Sequence, residues 1–125
     1  SIAGIRAAKV AYEQGDLKRR LEKFHGTNTD CAFRGWNDAW LDPAFLKWNI
    51  ECFLPICTTP VLAIQGRDDN YGTLAQIETI KAAVSGPFDA LILEKCGHSP
   101  WQEKPDEVLA ASARFVAGLV PKDVR

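Results

Sequence analysis

An α/β fold, with small helices first and a β-α-β-α run of parallel strands after them, is the architecture this chain predicts. Three observations predict it. Apolar residues recur at helical spacing through roughly the first 50 positions. Two short apolar runs, Val61-Leu62-Ala63-Ile64 and Ala90-Leu91-Ile92-Leu93, then alternate with helical segments, and such alternation implies parallel strands joined by crossovers. Each run ends in a glycine turn that presents a polar residue: Gly66-Arg67-Asp68-Asp69 after the first, Cys96-Gly97-His98 after the second.

The elements follow in order. Residues 2–14 are alanine-rich and favour a helix. Gly15-Asp16 breaks it, and Asp16 is placed to cap a second helix whose Leu17, Leu21 and Phe24 share one face. Gly26 ends that helix after His25, which reads as a surface cap or dipole partner. Thr27-Asn28-Thr29-Asp30 offers caps for a third helix with the stripe Phe33, Trp36 and Trp40. Asp42-Pro43 starts a short helix carrying Phe45 and Trp48. Pro55 and Pro60 bracket a linker-like stretch, after which the run from Val61 reads as a buried strand. Residues 73–84 are helical, with Leu74, Ile77, Ile80 and Val84 inward, and Gly86-Pro87 turns the chain into a second strand near 88–93. Pro105 opens a last helix whose Val108, Leu109, Ser112, Phe115, Val116 and Leu119 hold one face. The division expected is a helical segment over 1–50 and a β-α-β-α part over 51–125.

Composition bounds the function. At 125 residues, 46% hydrophobic and 25% charged, the chain can bury a core and reads as a soluble globular protein. A formal charge of −1 gives no electrostatic case for nucleic acid or an anionic membrane surface, and no apolar stretch approaches the ~20 residues of a membrane helix. No signal peptide is visible at Ser1. The missing methionine implies a removed initiator or a lost segment, the former being the simpler reading. Cys31, Cys52, Cys57 and Cys96 form no CxxC pair, so zinc-ligand spacing is absent. Beside buried-looking Phe53 and Leu54, reduced thiols acting as small hydrophobes are the duller reading, and this favours a cytoplasmic location.

Both polar turns sit at the carboxyl ends of their strands, where ligands bind in open α/β sheets. Asp69 and His98 are 29 residues apart, room for one helix and one returning strand. An ionised acid on one ring nitrogen would fix the histidine tautomer and stabilise its protonated form, as an orienting acid and a proton-transferring base require. The bland alternative is a histidine that caps a helix or packs beneath Trp101. Asp69 is favoured over Asp68 by its spacing from Gly66, while Asp68 caps, turns or faces solvent. Trp36 and Trp40 at helical spacing are ordinarily core, and functionally would line an apolar pocket. Trp101 is placed to pack over the histidine loop, and Glu103 to hydrogen-bond its backbone. A nucleophile is missing: no Gly-x-Ser-x-Gly occurs, and Ser1, Ser85, Ser99 and Ser112 lie outside any elbow context.

At these residues the chain resembles the α/β-hydrolase superfamily, in its C-terminal part. Pro60-Val61-Leu62-Ala63-Ile64-Gln65-Gly66-Arg67-Asp68-Asp69 looks like the strand and turn that deliver the family's acid. Cys96-Gly97-His98-Ser99-Pro100-Trp101-Gln102-Glu103-Lys104-Pro105 looks like its histidine loop, with the Pro-x-x-Glu-x-Pro continuation into the last helix. The helices around Phe33-Arg34-Gly35-Trp36-Asn37-Asp38 are similar to the end of the lid inserted before that strand. The implied architecture is an incomplete α/β-hydrolase fold, a lid remnant followed by the β-α-β-α unit.

The resemblance implies serine-type hydrolysis of an ester, lactone, or related acyl or carbon–carbon bond in a small apolar ester- or acid-like substrate. Asp69 and His98 would be catalytic, Trp36, Trp40 and Trp101 substrate-binding, with no cofactor and no metal. Lacking the elbow, the chain alone is expected not to turn over substrate. Two strands also leave a free sheet edge and an apolar face, which an N-terminal half or another copy would cover. The rival expectation is a non-enzymatic self-associating or binding module derived from the same fold. A further one is a small-molecule binding protein built on the three tryptophans.

Overall fold

The computed structural model of the protein describes residues 1–120; the last five residues of the expected 51–125 segment lie outside the described residues. The chain forms two compact units, Ser1–Asn49 and Ile50 onward.

The first unit is helical. Helix α1 (Ile2–Gln14) is followed by α2 (Leu17–His25), a 3₁₀ turn at Gly26–Asn28, and α3 (Thr29–Leu41). Ile5, Ala8 and Tyr12 recur every three or four residues and form the buried face of α1. The matching face of α3 is Thr29, Phe33 and Asn37. Phe33 stacks on Tyr12 with ring centroids 3.8 Å apart, and Leu17 and Leu21 of α2 pack against this pair. Tyr12 Oη donates to Asp30 Oδ1 at 2.8 Å while Lys18 Nζ reaches Asp30 Oδ2 at 2.9 Å, so the polar end of the buried ring is satisfied at the surface. Asn37 is fully buried; its Nδ2 donates to the Ile5 carbonyl at 2.9 Å, and its Oδ1 has no partner among the described residues.

Several expectations for this unit shift. The α3 stripe turns one position from the one expected: Phe33 is buried, but Trp36 and Trp40 flank the buried face and stay partly exposed. Phe24 shares the periodicity of Leu17 and Leu21 yet is 83% exposed, because so small a helical layer cannot cover both of its ends. Asp16 stands at the N-terminus of α2 without a side-chain capping bond and pairs instead with Arg19 at 3.6 Å. After Asp42, whose Oδ1 accepts the Ala44 N–H at 2.8 Å, the expected short helix is a 3₁₀ turn at Phe45–Lys47, with Trp48 just beyond it.

The second unit opens with a 3₁₀ turn over Glu51–Ile56, where linker-like chain was expected. Strand β1 (Val61–Gly66), helix α4 (Leu74–Ala83) and strand β2 (Phe88–Leu93) then make one βαβ unit. The strands are parallel and in register from Val61 opposite Phe88 to Gly66 opposite Leu93. Helix α4 begins with a reciprocal cap in which the Thr73 side chain and the Gln76 side chain each satisfy the other residue's backbone. The short helix α5 (Pro100–Glu103) and the longer α6 (Pro105–Leu119) complete the unit, both against β1.

Because the described sheet has two strands, its faces are thinly covered. Residues 61–65 of β1 are half-buried rather than enclosed, and only Leu93 of β2 is buried. On α4, Ile77 alone is fully buried among the four residues expected inward. On α6 the inward face is Val108, Ala111, Ser112 and Phe115, while Leu109, Val116 and Leu119 are exposed. The cysteines follow suit: all four are free thiols, Cys96 is buried, Cys57 half-buried, and Cys31 and Cys52 exposed beside an exposed Phe53. Three of the four therefore do not act as core hydrophobes. No helix among the described residues is long and apolar enough to cross a membrane.

The helical unit depends on the Tyr12–Phe33 stack. Phe33→Ala is expected to destabilise it by about 3 kcal/mol, the usual cost of deleting a buried aromatic ring. The measurement is amide exchange across α1 and α3; protection unchanged from wild type would contradict this packing.

Candidate active site

Two loops meet at the carboxyl ends of β1 and β2. Their approach is set by backbone. Arg67 N–H donates to the Leu93 carbonyl at 2.9 Å, extending the ladder one residue beyond the strands, and Asp68 N–H donates to the Cys96 carbonyl at 2.9 Å. A Cβ placed on Gly66 would collide with the carbonyl oxygens of Cys96 and Gly97. Only glycine fits where the loop after β2 crosses the end of β1. Lys95, at φ 51°, adopts the left-handed conformation that swings the chain from β2 back across this point. Arg67 and Glu94 tie the rims of the two loops with an exposed ion pair of 2.6 Å.

The crossing brings Asp69 and His98 together. His98 Nδ1 lies 3.0 Å from both carboxylate oxygens of Asp69. Asp69 is the better enclosed partner, its side chain 8% exposed against 55% for His98. Its Oδ1 also accepts the N–H of Tyr71 at 2.8 Å and of Gly72 at 3.0 Å, an Asx turn closed by its own side chain. Gln65 Nε2 stands 3.5 Å from Oδ2. Burial opposes ionisation of Asp69. The hydrogen bond from His98, the two backbone N–H groups and the charge of His98 together outweigh it and hold the carboxyl below its ordinary range.

An ionised carboxylate only accepts, so the proton between the two groups belongs to Nδ1 of His98. In the neutral ring, Nε2 is then the basic nitrogen. The Tyr71 ring meets the imidazole edge-on, centroids 5.0 Å apart. A cleft of about 330 Å³ opens beside the pair, lined by Ile64, Gly66, Pro100, Trp101 and Val108 with Asp69 and His98. It is a largely apolar recess with the acid–base pair and Gln65 at its wall, the composition of a small-molecule site.

The residues singled out by sequence are thus placed as follows. Asp69, His98 and Trp101 share the cleft, with Trp101 58% exposed on its rim. Asp68 faces solvent. Trp36 and Trp40 belong to the helical unit, where Trp36 meets Phe33 edge-on at 5.8 Å and Trp40 packs against Phe45 and Trp48 at 5.1 and 5.9 Å. Glu103 does accept hydrogen bonds from the histidine loop, from Gly97 N–H at 2.8 Å and Ser99 N–H at 3.1 Å. Gln65 and Tyr71 were not anticipated. The Asx-turn pattern of Asp69-Asn70-Tyr71-Gly72 was a signal that could have found Tyr71; nothing local marks Gln65.

Two outcomes test this geometry. Gly66→Ala is expected to destabilise the second unit by about 1–3 kcal/mol, since backbone on both sides must yield; an unchanged urea midpoint would refute the close crossing. The depressed Asp69 pKa makes a contribution to stability that is present above the ordinary value of 3.8 and is lost as pH falls through the lower folded value. Asp69→Asn should therefore flatten the fall in stability below about pH 4. Wild-type and variant unfolding curves that run parallel across that range would show that Asp69 is not specially stabilised.

No protein-family model matches the chain. Over 104 residues it is 34% identical to epoxide hydrolase A of Mycobacterium tuberculosis, a match covering 82% of this chain and 32% of that protein. The fold resembles that of a serine hydrolase involved in carbazole degradation, the CarC enzyme, with a TM-score of 0.64 at 15% identity over 94% of this chain and 47% of that one. The chain spans less than half the length of either protein. The chain is thus similar in sequence to an epoxide hydrolase, and its fold is an incomplete α/β-hydrolase fold.

Proposed function

We propose that this chain is the C-terminal portion of a hydrolase in which Asp69 orients His98 and His98 moves the proton. The observation that carries the reading is the 3.0 Å contact of His98 Nδ1 with both Asp69 oxygens beside an apolar cleft. Residues 1–50 are the lid-like segment in this reading, and residues 51–125 the β-α-β-α part of the core. Trp101, on the rim of the cleft, contacts the apolar portion of the substrate.

The chemistry follows from the tautomer. With Nδ1–H directed at Asp69, Nε2 takes the proton of an attacking hydroxyl, the imidazolium is stabilised by the carboxylate, and the proton then passes to the leaving group. For an ester, lactone or related acyl or carbon–carbon bond, a serine hydroxyl attacks first, and a water deprotonated by Nε2 releases the acyl group. The likeness to an epoxide hydrolase supports a second substrate class, an epoxide, for whose hydrolysis the same nitrogen deprotonates the water and the resulting imidazolium returns the proton to the oxygen freed by ring opening. Either route uses acid–base and nucleophilic groups without a cofactor or metal. Since these 125 residues contain no Gly-x-Ser-x-Gly, the nucleophile comes from a segment that completes the sheet, and the chain alone is inactive. Four free thiols support a cytoplasmic setting.

A second reading rests on a separate observation, the two-stranded described sheet and the exposed Leu109, Val116 and Leu119 of α6. Here another copy covers the edge, and the chain is a self-associating module derived from the fold. Sedimentation separates the two at once: a concentration-independent monomer speaks against self-association.

The functional reading is tested by assaying the chain against short p-nitrophenyl esters and an aromatic epoxide. The assay is run alone and then mixed with an N-terminal hydrolase portion that carries a nucleophile. Turnover is expected only in the mixture, and His98→Ala should lower it by about 10²–10⁴-fold. His98-dependent turnover by the chain alone at the rate of a whole hydrolase would overturn the proposal.

A further inference from the structure

His98 is more than half exposed, so packing does little to hold its loop. What holds it is a carboxylate from the next element. Glu103, the last residue of α5, places Oε2 2.8 Å from the N–H of Gly97 and Oε1 3.1 Å from the N–H of Ser99. These are the two residues flanking His98. The connection is returned: the Ser99 carbonyl accepts the N–H of Gln102 at 2.9 Å and of Glu103 at 3.0 Å. Residues 97–103 are thereby closed into a loop pinned at both shoulders of the histidine.

Two further observations fit a seat built for that carboxylate. A Cβ on Gly97 would lie 3.1 Å from Glu103 Oε1 and 3.4 Å from Oε2, so the absence of a side chain there admits the carboxylate. The neighbouring Cys96 thiol is pushed up first by burial and next by the charge of Glu103, which places that charge against the loop.

We propose that Glu103 is a positioning residue for His98, its two oxygens accepting the flanking N–H groups so that the imidazole is presented to Asp69. This rests on His98 being the base in the reading above. The pairing needs two acceptors side by side. An ionised carboxylate supplies both, with charge-assisted bonds, whereas an isosteric amide supplies one acceptor and points a donor at the other N–H.

The test uses the 125-residue chain, ¹⁵N-labelled, and observes His98 directly by NMR. In the wild type the Nδ1–H resonance is expected to be visible, shared with Asp69, and the Gly97 and Ser99 amides to exchange slowly. In Glu103→Gln at least one of these amides should exchange about tenfold faster, the factor carried by one ordinary hydrogen bond. The Nδ1–H signal should broaden or vanish, while the Gly66 and Leu93 amides at the strand ends keep their shifts. Unchanged Nδ1–H and amide exchange in Glu103→Gln would overturn the proposal. Should that variant not fold, wild-type exchange decides: slow exchange at both amides supports the clamp, and free exchange at both overturns it. None of these readouts needs turnover, so a failed His98→Ala assay, which would sink the catalytic reading, is distinguishable from a failed clamp.

Discussion

The second unit is organised by one steric constraint, the passage of the Cys96–Gly97 backbone across the end of β1 where Gly66 has no side chain. Two carbonyls occupy the space a Cβ would need. With them there, the N–H groups of Arg67 and Asp68 find acceptors in Leu93 and Cys96, and the two loops become one piece of backbone. The Asp69–His98 contact is a consequence of this crossing rather than its cause. An exposed histidine and a carboxylate do not hold two loops together unaided, because such a pair contributes little in solvent.

Around that crossing the site is asymmetric. Asp69 is enclosed and satisfied by two backbone N–H groups in addition to the imidazole, so its charge and orientation are set by its own turn. His98 is open on the side away from Asp69 and relies on hydrogen bonds to its loop backbone. A fixed acid behind an accessible base suits proton transfer, in which the base must meet a group arriving from elsewhere while its tautomer stays set. The same incompleteness runs through the packing. The described sheet has two strands, and Leu109, Val116 and Leu119 leave part of α6's apolar surface exposed.

Much of this was legible in residues alone, and most of the failures have a common origin. The βαβ unit was readable because each strand run is bounded by turn residues, and the helix between them carries its own start signal at Thr73. The inward faces were overestimated at Phe24, Leu109, Val116 and Leu119, all of which have the right period and no enclosing layer. Periodicity reports which face of a helix is apolar; it does not report whether anything is there to cover it. The tryptophan stripe of α3 went wrong differently. Phe33 is fixed by stacking on Tyr12, and that single contact rotates the buried face onto Thr29 and Asn37.

The sequence by itself determined the helices, the two strands, their parallel order, and the glycine turns that carry an acid and a histidine at the same end of the sheet. These depend on local propensity and on turn chemistry, which act over a few residues. Tertiary structure alone decided that Nδ1 of His98 sits 3.0 Å from both Asp69 oxygens, that Tyr71 lies edge-on to the imidazole, and that the two oxygens of Glu103 bracket the histidine. Each of these depends on where one loop lands on another within a fraction of an ångström. That distance is set by the Gly66 crossing and the strand register, which no local stretch of residues encodes.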